Sequence, residues 1–255
     1  MKYMVYIPSK GRAATAKLPS LLIKDEVDFR IVVGPEDESD YRKEYQDKVL
    51  VLPEGNMGLP YSRRWIKRYS EQKGESRHWQ IDDDVWAYRE YVPETRKHKK
   101  CLAGAALSYV EDLVDQYENI GAASTSTFSM FPKGPYVINR DVYHDVLVKN
   151  NTEHYWTDGT WEDTDFTLQN LASGLCTIVV QAFIHYIPST AQSDKSGGGM
   201  SHEESQAGIE KRLRMIRTTQ RRWPGLNIGI HRPKTFPKLM TKHVWKMFTQ
   251  KPIRV

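Results

Sequence analysis

Three consecutive carboxylates stand in the stretch Trp79-Gln80-Ile81-Asp82-Asp83-Asp84-Val85, between two apolar runs. Adjacent negative charges repel one another unless water or a bound cation relieves the repulsion, and the flanking residues are strand formers. Mg²⁺ and Mn²⁺ prefer oxygen ligands and take one or two protein carboxylates, with water and substrate phosphate oxygens completing the coordination. The stretch therefore predicts a metal and phosphate site at the end of a strand, although an exposed acidic turn would account for the same residues.

The length and the charge pattern favour one α/β domain with a basic extension. A chain of 255 residues is long enough to bury a sizeable core. It carries 37 Lys and Arg against 32 Asp and Glu; the cations crowd residues 211–255, whereas acids cluster at 36–47, 82–84 and 162–165. This asymmetry suits a protein that holds a cation centrally and a polyanion at one edge, although ordinary solubilising charge gives the same balance.

The cysteine content and the apolar runs predict a soluble, cytoplasmic protein with no membrane partner. Cys101 and Cys176 give neither a disulfide framework nor a zinc spacing. The N-terminal apolar run stops at Ile7, too early for a signal peptide, and no run approaches the roughly 20 apolar residues of a membrane span. We expect a monomer or a small homo-oligomer.

The first part of the chain alternates strand and helix patterns. Strands are predicted over Lys2 to Ile7, Phe29 to Val33, Val49 to Leu52 and the acidic stretch, with helices between them. This alternation predicts a parallel sheet covered by helices on both faces.

Polar loops follow the first three predicted strands, at the edge where open α/β sheets bind nucleotides. The first loop contains a glycine but has the spacing of neither a P-loop nor a dinucleotide fingerprint. The acids of the second loop could accept hydrogen bonds from a base or ribose, and a plain turn is the alternative. The candidate nucleotide-binding residues of these loops and of the next helix are Pro8, Ser9, Arg12, Glu36, Asp37, Asn56, Gly58 and Arg63.

The second half is predicted to be less regular. Residues 89–100 are polar and charged, which predicts a loop, and helical spacing follows from Leu102 to Tyr117. A long buried strand is predicted over Leu175 to Tyr186. Its penultimate residue, His185, could be a metal ligand or a hydrogen-bonded core histidine.

A second acidic cluster, Glu162, Asp163 and Asp165, begins a predicted helix. Exposed amides and the helix dipole favour carboxylates there, so N-terminal capping is the simpler interpretation, but it explains one acid better than three. Trp156 and Trp161 beside the cluster could stack on a sugar or base and could desolvate a carboxylate toward a useful basicity.

The C-terminal quarter contains a glycine-rich segment and a basic helix. Residues 189–201 predict either a flexible loop that closes over the active site or a linker. Residues 202–255 predict a basic helical extension that packs on the core. Its first helix suits either contact with a phosphate backbone or simple docking on the core. The candidate DNA-contacting residues are Arg214, Arg217, Arg221 and Arg222.

The order of these motifs resembles that of metal-dependent GT-A glycosyltransferases. The resemblance rests on Asn56, Gly58 and Arg63, the triple aspartate, and the run Glu162-Asp163-Thr164-Asp165-Phe166-Thr167-Leu168 with Gly174 after the helix. That last run is similar to the glutamate-aspartate motif of inverting family-2 enzymes. The run Ile7-Pro8-Ser9-Lys10-Gly11-Arg12 and the basic C-terminal helix more narrowly resemble the phage enzymes associated with TET/JBP-type oxygenases, which glycosylate 5-hydroxymethyl pyrimidines in DNA.

The resemblance implies a GT-A fold over residues 1–188, with a mostly parallel central sheet flanked by helices. It implies a nucleotide-diphosphate sugar donor, expected to be a UDP-sugar, a bound Mn²⁺ or Mg²⁺, and hydroxymethylated double-stranded DNA as acceptor. The implied metal ligands are Asp84, Asp82 and His185, with Asp82 and Asp83 also near the donor, and the implied catalytic residues are Asp163 as base with Glu162 and Asp165.

Three other functions fit parts of the sequence. The enzyme could glycosylate a protein, lipid or polysaccharide, in which case the basic tail is incidental. Nucleotidyltransferases also pair an α/β sheet with metal-binding acids, but their glycine-rich signature loop is missing. A non-catalytic nucleic-acid-binding module could keep the same fold. The chain lacks the acceptor-side membrane segments and the glutamine-rich motif of polysaccharide synthases, which argues against polymer synthesis.

Overall fold

Short apolar runs form the first strands, and amphipathic runs form the helices between them. The computed structural model describes residues 1–127, 134–188, 206–231 and 238–255. Its first elements are β1 (Val5–Pro8), α1 (Lys17–Lys24), β2 (Phe29–Val33), α2 (Glu38–Tyr45), β3 (Val49–Val51), α3 (Leu59–Gln72) and β4 (Arg77–Ile81).

The elements that follow include more strands than helices. They are β5 (Ala87–Val92), β6 (Lys97–Cys101), α4 (Ala103–Val114), β7 (Ile120–Ser126), β8 (Tyr136–Ile138), β9 (Asp145–Lys149), α5 (Glu162–Ala172), β10 (Cys176–Tyr186), α6 (Gln206–Arg222), β11 (Gly229–His231) and β12 (Lys238–Met240).

One central sheet organises these elements. Among the described residues, ten strands form it, in the order β3-β2-β1-β4-β9-β7-β10-β5-β6, with β8 also beside β10. The pairs β2-β3, β1-β2 and β1-β4 are parallel, whereas β9 runs antiparallel between β4 and β7. The predicted α/β fold with a central sheet and flanking helices is therefore confirmed. Parallel pairing joins β1 to β4, and it also joins β7 with β10.

Strand β1 shows why helices cover both faces of the sheet. Successive side chains of a strand point to opposite faces, so Val5 and Ile7 join the core that also contains Leu18 of α1 and Ala106 of α4. Tyr6 points the other way, into a second cluster with Ile66 of α3. Because these helices pack on opposite faces, the loops at the carboxyl ends of the parallel strands remain open to solvent.

The predicted loop over residues 89–100 is wrong. This segment forms most of a hairpin, because β5 pairs antiparallel with β10 on one side and with β6 on the other. The strand residues Lys97, Lys99 and Lys100 are exposed. Ladder hydrogen bonds rather than burial therefore hold β6, and the sequence carries no alternating apolar pattern to reveal it.

The C-terminal residues pack on helix α5. Leu168 and Leu171 of α5 form a buried cluster with Ile228, Val244 and Trp245. The predicted flexible loop over residues 189–201 lies outside the described residues. Within the ranges that the structure describes, no helix has the length and apolar character needed to cross a membrane.

Candidate active site

A buried arginine joins the two acidic clusters. The Arg63 side chain lies wholly inside the protein, with its Nη2 2.8 Å from Asp82 Oδ1 and 3.8 Å from Asp163 Oδ1. Burial acts to lower the pKa of Arg63, but the charges of Asp163 and Asp82 outweigh it and raise that pKa. The strand-end cluster and the helix-start cluster therefore face one cleft, and Arg63 supplies the positive charge between them.

The three consecutive aspartates have different environments. Asp83 accepts hydrogen bonds from Ser9 and from Arg12, whose Nη1 lies 2.7 Å from Asp83 Oδ1. The backbone carbonyl of Asp83 also accepts the amides of Lys17 and Leu18, the first residues of α1. Asp83 therefore ties the first loop and helix α1 to the end of β4.

Asp82 has a partner on each carboxylate oxygen. Arg63 contacts Oδ1, and His144 Nδ1 lies 2.9 Å from Oδ2. Burial acts to raise the pKa of Asp82, but Arg63 and His144 lower it below its usual value. Asp82 is accordingly held ionised between two nitrogen donors.

Asp84 is the aspartate with an unsatisfied oxygen. Its Oδ1 is buried without a hydrogen-bond partner. Burial and the neighbouring charges of Asp82 and Asp83 raise the pKa of Asp84 to about 6. A buried carboxylate oxygen of this kind is suited to a cation or to a donor group on a ligand.

His185 is oriented by a buried carboxylate. Asp145 accepts hydrogen bonds from the backbone N–H and the hydroxyl of Thr125, and His185 Nδ1 lies 3.1 Å from its Oδ1 and 2.8 Å from Thr125 Oγ1. An ionised carboxylate only accepts hydrogen bonds, so the proton of the His185 ring belongs on Nδ1. Nε2 is buried without a partner, which leaves its lone pair available to a ligand.

His144 and Asp141 belong to the site but were missed in the sequence. Asp141 accepts hydrogen bonds from Thr164 and Thr167 of α5, while His144 contacts Asp82 and its ring lies 5.5 Å from that of His185. The segment 139–144 thus bridges the two acidic clusters. His144 has φ +66°, a left-handed conformation that is costly without glycine and concentrates at functional sites. The polar run after the short strand β8 was the one available sequence signal.

The second acidic cluster combines one accessible carboxylate with two more enclosed ones. Asp163 Oδ1 accepts a hydrogen bond of 2.9 Å from Trp156 Nε1. Burial and the charge of Asp163 raise the pKa of Glu162 to about 7, and burial, aided by Asp163, raises the pKa of Asp141 to about 7. Asp165 is wholly buried and is held by Gln169, Arg222 and Trp223. Its oxygens are therefore turned away from the cleft.

Trp156 offers no open ring face for stacking, and Trp161 has one ring face occupied. Trp156 is fully buried and stacks on Phe166 at a centroid distance of 4.0 Å, so it acts on the site through its N–H to Asp163. Trp161 is half-buried, and the Arg212 guanidinium lies over its ring at 5.4 Å. The expected stacking on Trp156 is therefore wrong, and stacking on Trp161 stays a prediction.

The three loops after β1, β2 and β3 contact one another at the open edge of the sheet. Glu36 accepts the backbone N–H of Asn56 at 3.0 Å, and Asp37 accepts that of Gly11 at 3.2 Å. Gly58 has φ +83° and precedes helix α3, with a proline in its first turn. Pro8 ends β1 beside Val32. The predicted donor-binding residues therefore share one rim, with Arg63 one turn into α3.

The cations of helix α6 divide between two faces. Arg214, Arg217 and Arg221 are exposed and line a groove of about 530 Å³ with Gln220 and Pro224. Arg222 is also exposed, and its Nε lies 3.0 Å from Asp165. All four predicted arginines therefore reach the surface, and Arg222 also contacts a buried carboxylate.

The donor set of the cleft fits a hard divalent cation. Among the described residues, no group of three or more His, Cys, Asp or Glu side chains is arranged as a metal site. However, Asp84 Oδ1 and His185 Nε2 are buried and unpaired. One carboxylate and one imidazole suit Mn²⁺ or Mg²⁺ when diphosphate oxygens and water complete the coordination.

Two acidic clusters joined by a buried arginine at the carboxyl edge of an α/β sheet are compatible with a sugar-nucleotide glycosyltransferase. The family model described as TET-Associated Glycosyltransferase matches residues 3–198, and the chain belongs to this family. No match was found among curated proteins.

Several solved structures are similar to this chain at low identity. A protein of STIV has 13% identity and a TM-score of 0.41, over 74% of this chain and 86% of that one. A nucleotide-diphospho-sugar transferase, so described, from Desulfovibrio desulfuricans has 11% identity and a TM-score of 0.42, over 87% and 98%. A UDP-glucose pyrophosphorylase has 11% identity and a TM-score of 0.43, over 73% of this chain and 92% of that one. The functional assignment rests on the family match rather than on these likenesses.

Replacing Asp84 by Asn should stabilise the metal-free protein at neutral pH. The folded-state pKa of about 6 lies above the ordinary 3.8. The contribution of this carboxyl to the free energy of unfolding is therefore fully present below pH 4 and is lost as the pH rises from 4 to 6. We expect the free energy of unfolding of the Asp84→Asn variant, minus that of the wild type, to be larger at pH 7 than at pH 4. Urea denaturation with a chelator present measures both free energies. Equal differences at the two pH values would contradict this.

Proposed function

We propose that this glycosyltransferase moves a sugar from a UDP-sugar, or another nucleotide-diphosphate sugar, to 5-hydroxymethylcytosine or another hydroxymethyl pyrimidine of phage DNA in the host cytoplasm. The observation that carries the proposal is the contact of Arg63 with both Asp82 and Asp163. This contact supports the proposal because transfer to a hydroxyl requires a diphosphate site and a base side by side.

The first acidic cluster is proposed to serve the leaving group. Glycosyl transfer develops oxocarbenium character on the sugar while negative charge grows on the departing diphosphate. A divalent cation, when bound, would act as a Lewis acid on that charge. Asp84 and His185 are the proposed metal ligands. Both carboxylate oxygens of Asp82 already have partners, so Asp82 is proposed to hold Arg63 and His144 next to these ligands. Ser9, Arg12, Glu36, Asp37, Asn56 and Gly58 are the proposed contacts to the nucleotide.

The second acidic cluster is proposed to serve the nucleophile. Asp163 would remove the acceptor proton, and the Trp156 N–H fixes one of its oxygens in place. Arg63 Nη2 lies 3.8 Å from the same oxygen and places a positive charge beside it. A base on the face opposite the leaving group gives inversion, so we propose an inverting hexosyl transfer.

The acceptor is proposed to reach this base as an unstacked nucleotide. A base within a duplex must be flipped out before its hydroxymethyl group can enter a cleft, at a cost of a few kcal/mol. Arg214, Arg217 and Arg221 form an exposed row of cations that suits the phosphates of a DNA backbone. Such contacts would make DNA affinity fall steeply with salt.

An acceptor panel tests the proposal directly. The protein is incubated with Mn²⁺, a set of sugar nucleotides and matched duplexes that contain cytosine, 5-hydroxymethylcytosine or 5-hydroxymethyluracil, and nucleosides are analysed by mass spectrometry. A hexose mass should appear on the hydroxymethylated base alone. Donor turnover with protein, lipid or polysaccharide acceptors, and none with any DNA, would reject the DNA acceptor while keeping the glycosyltransferase.

Replacing Asp163 by Asn should abolish most transfer without loss of donor binding. Removing a general base costs roughly 10² to 10⁴-fold in kcat, and the donor contacts lie on the sheet edge. The matched control is Asp158→Asn, an exposed aspartate of the preceding loop, which should keep full activity. Unchanged kcat in Asp163→Asn, or a product of retained anomeric configuration, would remove Asp163 as the base.

Replacing Asp145 by Asn should weaken Mn²⁺ binding through His185. Loss of a carboxylate that orients a metal-binding histidine typically costs about 10- to 100-fold in affinity. Calorimetric titration of Mn²⁺ in the presence of UDP measures this, with the surface variant Asp28→Asn as control. Nitrogen NMR of the His185 ring gives an independent readout, since the wild type should carry its proton on Nδ1. A proton on Nε2 would contradict the assigned orientation.

A further inference from the structure

Helix α5 begins with the candidate base but lacks a side-chain cap of its own. Glu162 and Asp163 are its first two residues, and the residue before them, Trp161, makes no capping hydrogen bond through its side chain. The first amides of a helix have no partner within it, so an uncapped first turn is free to fray. The position of the carboxylates in this turn must therefore depend on contacts from elsewhere.

Helix α6 supplies a contact on the N-terminal side of this turn. The Trp161 backbone N–H donates a hydrogen bond of 2.9 Å to Thr219 Oγ1. The Thr219 hydroxyl donates in turn to the carbonyl of Met215, at 3.0 Å, and its side chain is fully buried. Because this hydroxyl accepts from one helix start and donates within the other helix, it fixes α6 relative to Trp161. The Arg212 guanidinium over the Trp161 ring adds a second contact.

The last residue of α6 and the residue after it hold the C-terminal side of this first turn of α5. Trp223 Nε1 donates a hydrogen bond of 2.7 Å to Asp165 Oδ1, and Arg222 Nε lies 3.0 Å from the same atom. Asp165 is wholly buried, and an ionised carboxylate in that environment requires its partners. The contacts at residues 161 and 165 therefore flank Glu162 and Asp163.

We infer that α6 positions the candidate base: Thr219 and Trp223 hold residues 161 and 165 and so fix Asp163 relative to Arg63. Thr219 and Trp223 are positioning residues, and Asp165 is their anchor rather than a reacting group. The inference rests on the proposed role of Asp163 as base. It adds to the active site a helix that lies beyond residues 3–198, the part that the family model matches.

The test compares two adjacent threonines in the full-length protein. Thr219→Val removes the hydroxyl that accepts the Trp161 N–H. Thr218→Val makes the same change at a residue whose hydroxyl, in the part of the chain that the structure describes, bonds only within α6. A displacement of about 1 Å at a reacting group costs up to ~10²-fold in rate. We expect Thr219→Val to lower kcat by roughly 10- to 100-fold, with the donor KM changed less than about twofold, and Thr218→Val to resemble the wild type. Thr219→Ser, which keeps the hydroxyl, should restore kcat.

A second variant and a second measurement keep the test decisive. Trp223→Phe removes the donor to Asp165 and keeps an aromatic ring; it should lower kcat in the same way. Hydrogen exchange should be faster at the Trp161 amide in Thr219→Val than in Thr218→Val. A kcat equal to that of Thr218→Val in both Thr219→Val and Trp223→Phe would overturn the inference. So would a joint loss of kcat, donor binding and melting temperature, which marks a general packing role.

Failure of the proposed function gives a different result. If the wild type transfers no sugar with any donor and acceptor, the role of Asp163 fails, and amide exchange alone decides what α6 does. Faster exchange at Trp161 in Thr219→Val then still supports positioning of the turn, and unchanged exchange overturns it.

Discussion

The site depends on one guanidinium buried between two sets of carboxylates. Asp82 and Asp163 come from a strand end and a helix start that are far apart in the chain, and like charges cannot share a cleft without a compensating cation. Arg63 provides that cation from α3, wholly out of water. Its Nε and Nη1 make no hydrogen bond within the described residues, so the arginine is held by its charge partners and by packing. Removing both partners would leave a buried, unpaired charge, which is far more costly than losing a surface pair.

Around this arginine the fold separates two chemical tasks. The parallel strands β1 to β4 present the loops proposed to bind the nucleotide, and Asp83 uses its side chain and carbonyl to fix the first of those loops and the start of α1. The second half of the sheet presents His185 and the start of α5. The segment 139–144 joins the two halves, since His144 contacts Asp82 and Asp141 contacts α5. In the proposed function, one side of the cleft binds the donor while the other orients the nucleophile.

The sequence predicted what depends on local pattern. Apolar runs with turn residues between them specified β1 to β4, and the acidic clusters marked the cleft. Environments were not predictable: Asp163 and Asp165 are two residues apart, yet one faces the cleft and the other is buried under Arg222 and Trp223. Trp156 was expected to offer a ring face and offers an N–H instead. His144 had only the weak signal of the polar run after β8, because its role follows from backbone conformation and long-range contact, which neither composition nor periodicity records.

Strand β6 forms one edge of the described sheet, and the three-residue strand β3 forms the other. The charged composition of β6 had predicted a loop. A free sheet edge exposes unpaired amides and carbonyls to which a foreign chain could add. Lys97, Lys99 and Lys100 make that addition unfavourable by charge, since an identical neighbour would bring the same cations face to face. The lysines that made this strand look like a loop in the sequence therefore also disfavour self-association through this edge of the sheet.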